Sequence, residues 1–221
     1  PRETPTRDML EAIVPGRPVL LKAMDGHSLW ANGAALRIAG IQAGTPQPPG
    51  GRIVLDPATG EPTGWLQEWS AMALLESHFP SATHHQRRLG ARAFLEKAAR
   101  AGITAVSDAM LTEADYRVYA DLERSGELTV RVTGLALRRP EDGESGRQEI
   151  LSLLQTPRTD RLQVRAVKLF LDGVLEARTA WLREPYADMP DHRGTLIWPE
   201  EDFRREVLWW DAHGIPVHVH A

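Results

Sequence analysis

The 221 residues include no cysteine. Disulfides, thiolate nucleophiles and cysteine-ligated zinc are thereby excluded, while the redox compartment stays open. No apolar run approaches the ~18 residues of a membrane span, and no signal-peptide pattern is visible. An excess of one charge is also missing. Lys and Arg number 26 against 30 Asp and Glu, a formal net charge of -4, which gives no electrostatic reason to expect nucleic acid or an anionic membrane as partner. Neither type of Gly-rich phosphate loop is present, which lowers the expectation of a nucleotide-binding open sheet. What remains is an ordinary globular composition, 42% hydrophobic and 25% charged. A cytoplasmic protein with a small-molecule substrate is the expectation, a homodimer is possible, and the sequence leaves the oligomeric state undetermined.

The most informative stretch is Val164-Arg165-Ala166-Val167-Lys168-Leu169-Phe170-Leu171-Asp172-Gly173. Its β-branched and aromatic residues and terminal Gly read as a strand. Strict alternation puts Val164, Ala166, Lys168, Phe170 and Asp172 on one face, and Arg165, Val167, Leu169 and Leu171 on the other. The second face is apolar beyond Arg165, as expected under a cover of helices. The first face carries a lysine in mid-strand. A buried ammonium must be paired, neutralised or chemically used. An internal salt bridge, a metal-bridging carbamate, a Schiff-base nucleophile and a partner for substrate charge are the alternatives.

In chain order, a short helix over 7–13 precedes a strand over 18–24 and helical composition over 30–40. The Gly- and Pro-rich segment 41–68 contains an inserted β-hairpin, its arms at 52–56 and 64–68 around turn-rich 57–62. Helices are expected over 69–79 and 84–100, the second burying Leu89, Ala93, Leu95 (or Phe94) and Ala98. Strand–helix alternation follows: strand 102–108, helix 113–125, strand 128–137, helix 147–154, the lysine strand, a helix opened by Pro199 with the acids Glu200, Glu201 and Asp202, and a last strand 215–221. Repeated strand–helix units imply a parallel sheet with helices outside. A complete (β/α)8 barrel needs eight strands and typically about 250 residues. The expectation is therefore an α/β partial (β/α)8 TIM barrel, about strands 2–5 with flanking helices, forming part of one domain over 1–221. The unusual start and the strand at the end suggest an interior piece of a longer polypeptide.

Barrel active sites lie at the C-terminal strand ends. There the sequence puts Asp25 and His27, Asp108, Arg138 and Arg139, Lys168 and Asp172, and His218 and His220. On a strand His218 and His220 share a face. His220, nearer the rim, is the expected ligand, with His218 one layer down in the packed interior. Asp108 is expected to brace the rim, and Arg138 and Arg139 to be solvated surface. Trp65, Trp69 and Trp181 are candidates to wall an apolar substrate pocket.

Five segments together resemble the amidohydrolase superfamily, in the branch of N-substituted formamide deformylase-like metal-dependent hydrolases: Asp25-Gly26-His27-Ser28-Leu29-Trp30-Ala31-Asn32, Gly102 to Asp108, Val167 to Gly173 with Thr179-Ala180, Pro62-Thr63-Gly64 with Glu68, and Val217-His218-Val219-His220-Ala221. The resemblance implies a metal-dependent hydrolase acting on amide-like, non-peptide C–N bonds through a metal-activated water. One or two divalent metals, Zn2+ foremost, would be held by His220 and by Lys168, with a carbamate on Lys168. His27 is implied at the substrate or its oxyanion. Asp172 is expected to help it position or polarise the substrate, with Trp30, Asn32, Trp65 and Trp181 as further substrate-binding residues. It also implies that the remaining ligands and the aspartate base lie outside these 221 residues, so that activity needs the missing N- and C-terminal parts. Two rivals fit the same lysine strand: a Schiff-base lysine enzyme of aldolase type, and a non-catalytic, metal-free binding protein of the same fold.

Overall fold

A computed structural model describes residues 5–221. The chain divides into two compact units. One comprises the residues up to Pro80 with Leu171–Pro199 and Ala221, and the other Ser81–Phe170 with Glu200–His220.

The first unit is built on an antiparallel sheet. Helix α1 (Arg7–Ile13) leads into strands β1 (Leu20–Lys22) and β2 (Ser28–Ala31), joined by a tight turn in which Gly26 takes a φ of 80°. Helix α2 (Gly33–Ile38), strands β3 (Arg52–Leu55) and β4 (Pro62–Gln67), and helix α3 (Trp69–Glu76) follow. The sheet order is β1-β2-β4-β3. The β3–β4 hairpin expected from the sequence is present, but two further strands extend it. Trp30 and Ala31, expected to be helical, lie in β2. The helix starts only at Gly33, because the Asn32 side chain caps it, accepting from the Ala35 N–H at 3.0 Å. Leu29, Ala31, Ile53 and Leu66 form a core with Ala35, Leu36, Met72 and Leu75 of the two helices. Asp25 and His27 therefore close an antiparallel turn and do not end a barrel strand.

The second unit is the strand–helix part. Helix α4 (His84–Arg100), strand β5 (Ala105–Leu111), helix α5 (Glu113–Arg124), strand β6 (Arg131–Leu137), a 3-10 turn at Pro140–Asp142, helix α6 (Gly143–Leu154), strand β7 (Leu162–Phe170), helix α7 (Glu200–Ala212) and strand β8 (Val217–His220) run in that order. Strands β5-β6-β7-β8 pair in sequence order, all parallel. This four-stranded curled sheet is a partial TIM barrel. Leu95 and Ala98 of α4 pack with Val118 and Leu122 of α5 against Leu128, Val130, Val132 and Leu162. Leu89 and Ala93 of α4, expected inside, are exposed, and of the alternatives Leu95 and Phe94 it is Leu95 that is buried. The helix instead turns Arg87 and Arg88 toward Asp115 and Glu127, so part of its inner stripe is made of ion pairs.

One register detail alters the reading of the lysine strand. Gly134 pairs with Val164 and the next residue, Leu135, pairs with Ala166, leaving Arg165 as an extra, exposed residue. This bulge interrupts the period-two alternation, so Val164 is not related to Lys168 by simple side counting. Beyond it alternation resumes. Among the described residues no helix is long and apolar enough to cross a membrane.

Candidate active site

The expected site residues fall into two groups, one in each unit. In the parallel sheet, Lys168 lies opposite His218 and Phe170 opposite His220. Alternation puts Lys168 and Phe170 on one side of β7, and both histidines on one side of β8. The Phe170 ring links the group. The Lys168 ammonium sits 4.2 Å from its centroid, and the His220 ring centroid lies 5.1 Å from it. Lys168 is only 4% exposed. Among the described residues no carboxylate pairs with it, and burial pushes its pKa below the ordinary lysine value. The internal salt bridge is thereby disfavoured among the readings of this lysine. His218 is exposed and not packed inside, because β8 is an edge strand with no neighbour on its far side among the described residues.

In the antiparallel unit, His27 is buried at the turn after β1. Its backbone N–H donates to Asp25 Oδ1 at 2.8 Å, and its ring stacks on Trp69 at 6.2 Å between centroids. The antiparallel Ser28↔Gln67 pairing of β2 and β4 brings His27, which precedes Ser28, beside Glu68, which follows Gln67. The Glu68 N–H donates to the His27 carbonyl, and His27 Nδ1 lies 2.9 Å from Glu68 Oε2. Glu68 is fully buried and has φ 62°, ψ 163°, a backbone region almost confined to glycine. Its second oxygen, Oε1, has no hydrogen-bond partner among the described residues.

Asp172 approaches the same place through its neighbour. Gly173 passes so close to Glu68 that a Cβ there would collide with Glu68 Oε1 and Thr179 Oγ1. Asp172 is itself buried. Its Oδ2 accepts from the Trp181 N–H at 2.7 Å, while Oδ1 has no partner among the described residues. The segment is tied down by Thr179 Oγ1, which accepts from the Val174 N–H, and by Gln67 Nε2, which donates to the Ala177 carbonyl at 2.8 Å.

The expected substrate residues are divided. Trp30 and Trp65 are a cross-strand pair and line one cavity of about 330 Å³ with Leu21, Met24, Asp25 and Glu176. Trp181 is half exposed and lines a different cavity with Pro185, Pro190 and His192. Asn32 is fully buried and committed to the backbone. It accepts from the Ala35 and Val19 N–H groups and donates to the Arg17 carbonyl.

Two other rim residues are accounted for. Asp108 accepts from the Tyr119 hydroxyl at 3.0 Å, and burial together with that carboxylate pushes the phenol pKa up. Arg138, expected to be solvated, is buried against Glu206, with Nε 2.7 Å from Oε1. Glu68 carried no role in the sequence reading. Its pairing with His27 spans 41 residues and depends on strand register. The signals in the sequence are its place in the motif with Pro62-Thr63-Gly64 and its position, an acid at the junction of an apolar strand and a helix.

A divalent metal can be tested against these donors. An imidazole and a carbamate oxygen are both ordinary zinc donors, and Lys168 and His220 stand on adjacent strands. They supply two donors where a catalytic zinc takes three protein ligands. Among the described residues no group of three His, Cys, Asp or Glu could hold a metal ion. The fit is therefore partial.

A parallel strand–helix sheet with a buried lysine and a histidine on adjacent strands is part of an α/β barrel. The chain belongs to the amidohydrolase family, whose profile matches residues 1–221. It is 34% identical over 227 residues to the putative amidohydrolase YtcJ of Bacillus subtilis, covering 99% of this chain and 41% of the relative. It is 30% identical over 184 residues to the N-substituted formamide deformylase of Arthrobacter pascens, covering 77% of this chain and 32% of that protein. An uncharacterized metal-dependent hydrolase from Pyrococcus horikoshii superposes with a TM-score of 0.65 at 27% identity, over all of this chain and 42% of its own. The chain thus spans about two fifths of the length of these relatives, or less.

Proposed function

We propose that this chain carries part of the active site of a divalent-metal hydrolase that cuts an amide-like, non-peptide C–N bond, with Zn2+ as the metal. The observation that carries the reading is Lys168, a buried amine without a carboxylate partner among the described residues, sharing the Phe170 ring with His220. Lys168 and His220 would hold the metal. A neutral amine adds to CO2 and releases one proton, turning a cation that burial disfavours into an anion with donor oxygens. The depressed lysine pKa raises the neutral fraction from which this addition starts. When bound, the metal supplies Lewis acidity that polarises the scissile carbonyl and lowers the pKa of a water. The chain's own groups then bind and orient. Within the first unit, Trp30 and Trp65 would wall an apolar part of the substrate, and His27 and Asp172 would contact a polar part of it. The relatives' names, amidohydrolase and N-substituted formamide deformylase, agree with that bond class.

The test is Lys168→Ala in the intact protein, with metal measured by mass spectrometry and turnover on N-substituted formamides. Loss of both is expected, and full metal content with full turnover would overturn the reading. A second reading rests on the same desolvated amine: Lys168 as a Schiff-base nucleophile. Borohydride reduction in the presence of a carbonyl substrate would trap an adduct on Lys168 under that reading and none under the first.

A further inference from the structure

We infer that Glu68 is a positioning residue that fixes a proton at Nδ1 of His27. This rests on the reading that His27 faces the substrate, but its own test does not.

Three features of Glu68 point the same way. The carboxylate oxygen Oε2 lies 2.9 Å from Nδ1 in a site where neither side chain is exposed to water. A carboxylate in its ionised form can only accept, and it then places the proton of that bond on Nδ1. The hydrogen bond made by one ring nitrogen decides the state of the other. In the neutral ring Nε2 is then the acceptor nitrogen, suited to take a proton or bind a donor.

The second feature is backbone. Glu68 occupies a conformation that glycine adopts freely and other residues rarely do. A glycine would serve the β4–α3 junction better if the junction were all that mattered. The third is packing. The backbone of Gly173 passes against Oε1, and that oxygen has no hydrogen-bond partner among the described residues. A side chain retained in a disfavoured conformation, with one buried acceptor unpaired, is poorly explained by stability.

The Trp69 ring stacked on His27 and the Glu68 N–H donated to the His27 carbonyl hold the imidazole plane and its backbone. Glu68 then sets which nitrogen carries the proton. Together they leave His27 with one ring orientation and one tautomer.

The experiment is long-range 1H–15N NMR of the His27 ring in the intact protein. The wild type should show Nδ1 as the protonated nitrogen, and Glu68→Ala should lose that signature. A wild-type ring with Nδ1 unprotonated, or a Glu68→Ala ring that keeps its Nδ1 proton, would overturn the assignment. Should Glu68→Ala not fold, Glu68→Gly serves in its place, since it relieves the backbone as it removes the carboxylate. Turnover separates this inference from the functional reading. With both correct, kcat falls by about 10- to 100-fold, as for other groups that orient a site histidine, with KM little changed. If the NMR signature moves as stated and turnover does not, the positioning role stands and the placement of His27 at the substrate fails.

Discussion

Glu206 and Glu68 are both almost fully buried, yet their surroundings differ at every point. Five N–H groups converge on Glu206: Nε and Nη2 of Arg138, Nε and Nη2 of Arg147, and Nε1 of Trp210. It lies in regular helix α7, and both oxygens are paired. Glu68 has one ring nitrogen for a partner, one oxygen without any among the described residues, and a backbone angle suited to glycine. A carboxylate kept for stability is satisfied on all sides, because an unpaired buried acceptor is costly. One kept under strain and half-satisfied points to a task other than holding the fold.

The sharpest way to break this comparison is Glu206→Ala. Two buried or half-buried guanidinium groups and an indole N–H would lose their acceptor, and unfolding should become easier by about 3–5 kcal/mol, read from denaturant titration. A loss below about 1 kcal/mol would mean that Glu206 is no structural keystone and that the contrast has no meaning. Gly173→Ala comes next. Its Cβ must displace Glu68 or Thr179, so a cost of about 1–3 kcal/mol is expected, and Glu68→Gly in the same chain should recover part of it.

Acid sharpens the comparison further. Burial would raise the Glu206 pKa, but hydrogen bonds from Arg138 and Arg147 outweigh it and hold the carboxyl below its usual value. A folded pKa below the unfolded one gives stability that is complete above about pH 4.3 and lost as pH falls through the folded value. Calorimetry from pH 7 to pH 3 should show a steep acid limb in the wild type and a shallower one in Glu206→Gln. Equal limbs would remove Glu206 as the cause. Lys168→Met tests the other buried charge. Removing an ammonium that has no carboxylate partner among the described residues should stabilise the metal-free chain by about 1 kcal/mol, and a fall of that size would show the lysine to be structural. The smallest effect is expected at Glu68→Gly, within about 1 kcal/mol of wild type, since relieved strain offsets the lost hydrogen bond. A loss approaching that of Glu206→Ala would make the two glutamates alike.

Part of this was legible in residue order. Strand–helix alternation from His84 onward depends on local composition, Gly stops and helix openings, and it appears in the structure as four parallel strands in sequence order. The burial of Lys168 could also be read, since on a strand its same-face neighbours, Ala166 and Phe170, are apolar. The bulge at Arg165 could not, because it appears only when β6 and β7 are set in register. Nor could the fate of Arg138, whose partner Glu206 lies 68 residues away.

By itself, then, the order of residues determined the strand–helix architecture, the family and the chemical types available at the strand ends, because all three depend on local pattern and short motifs. Only the tertiary structure decided which of those groups meet. Hydrogen bonds act over about 3 Å, and whether Glu68 lies that near His27 is set by the pairing of β2 with β4.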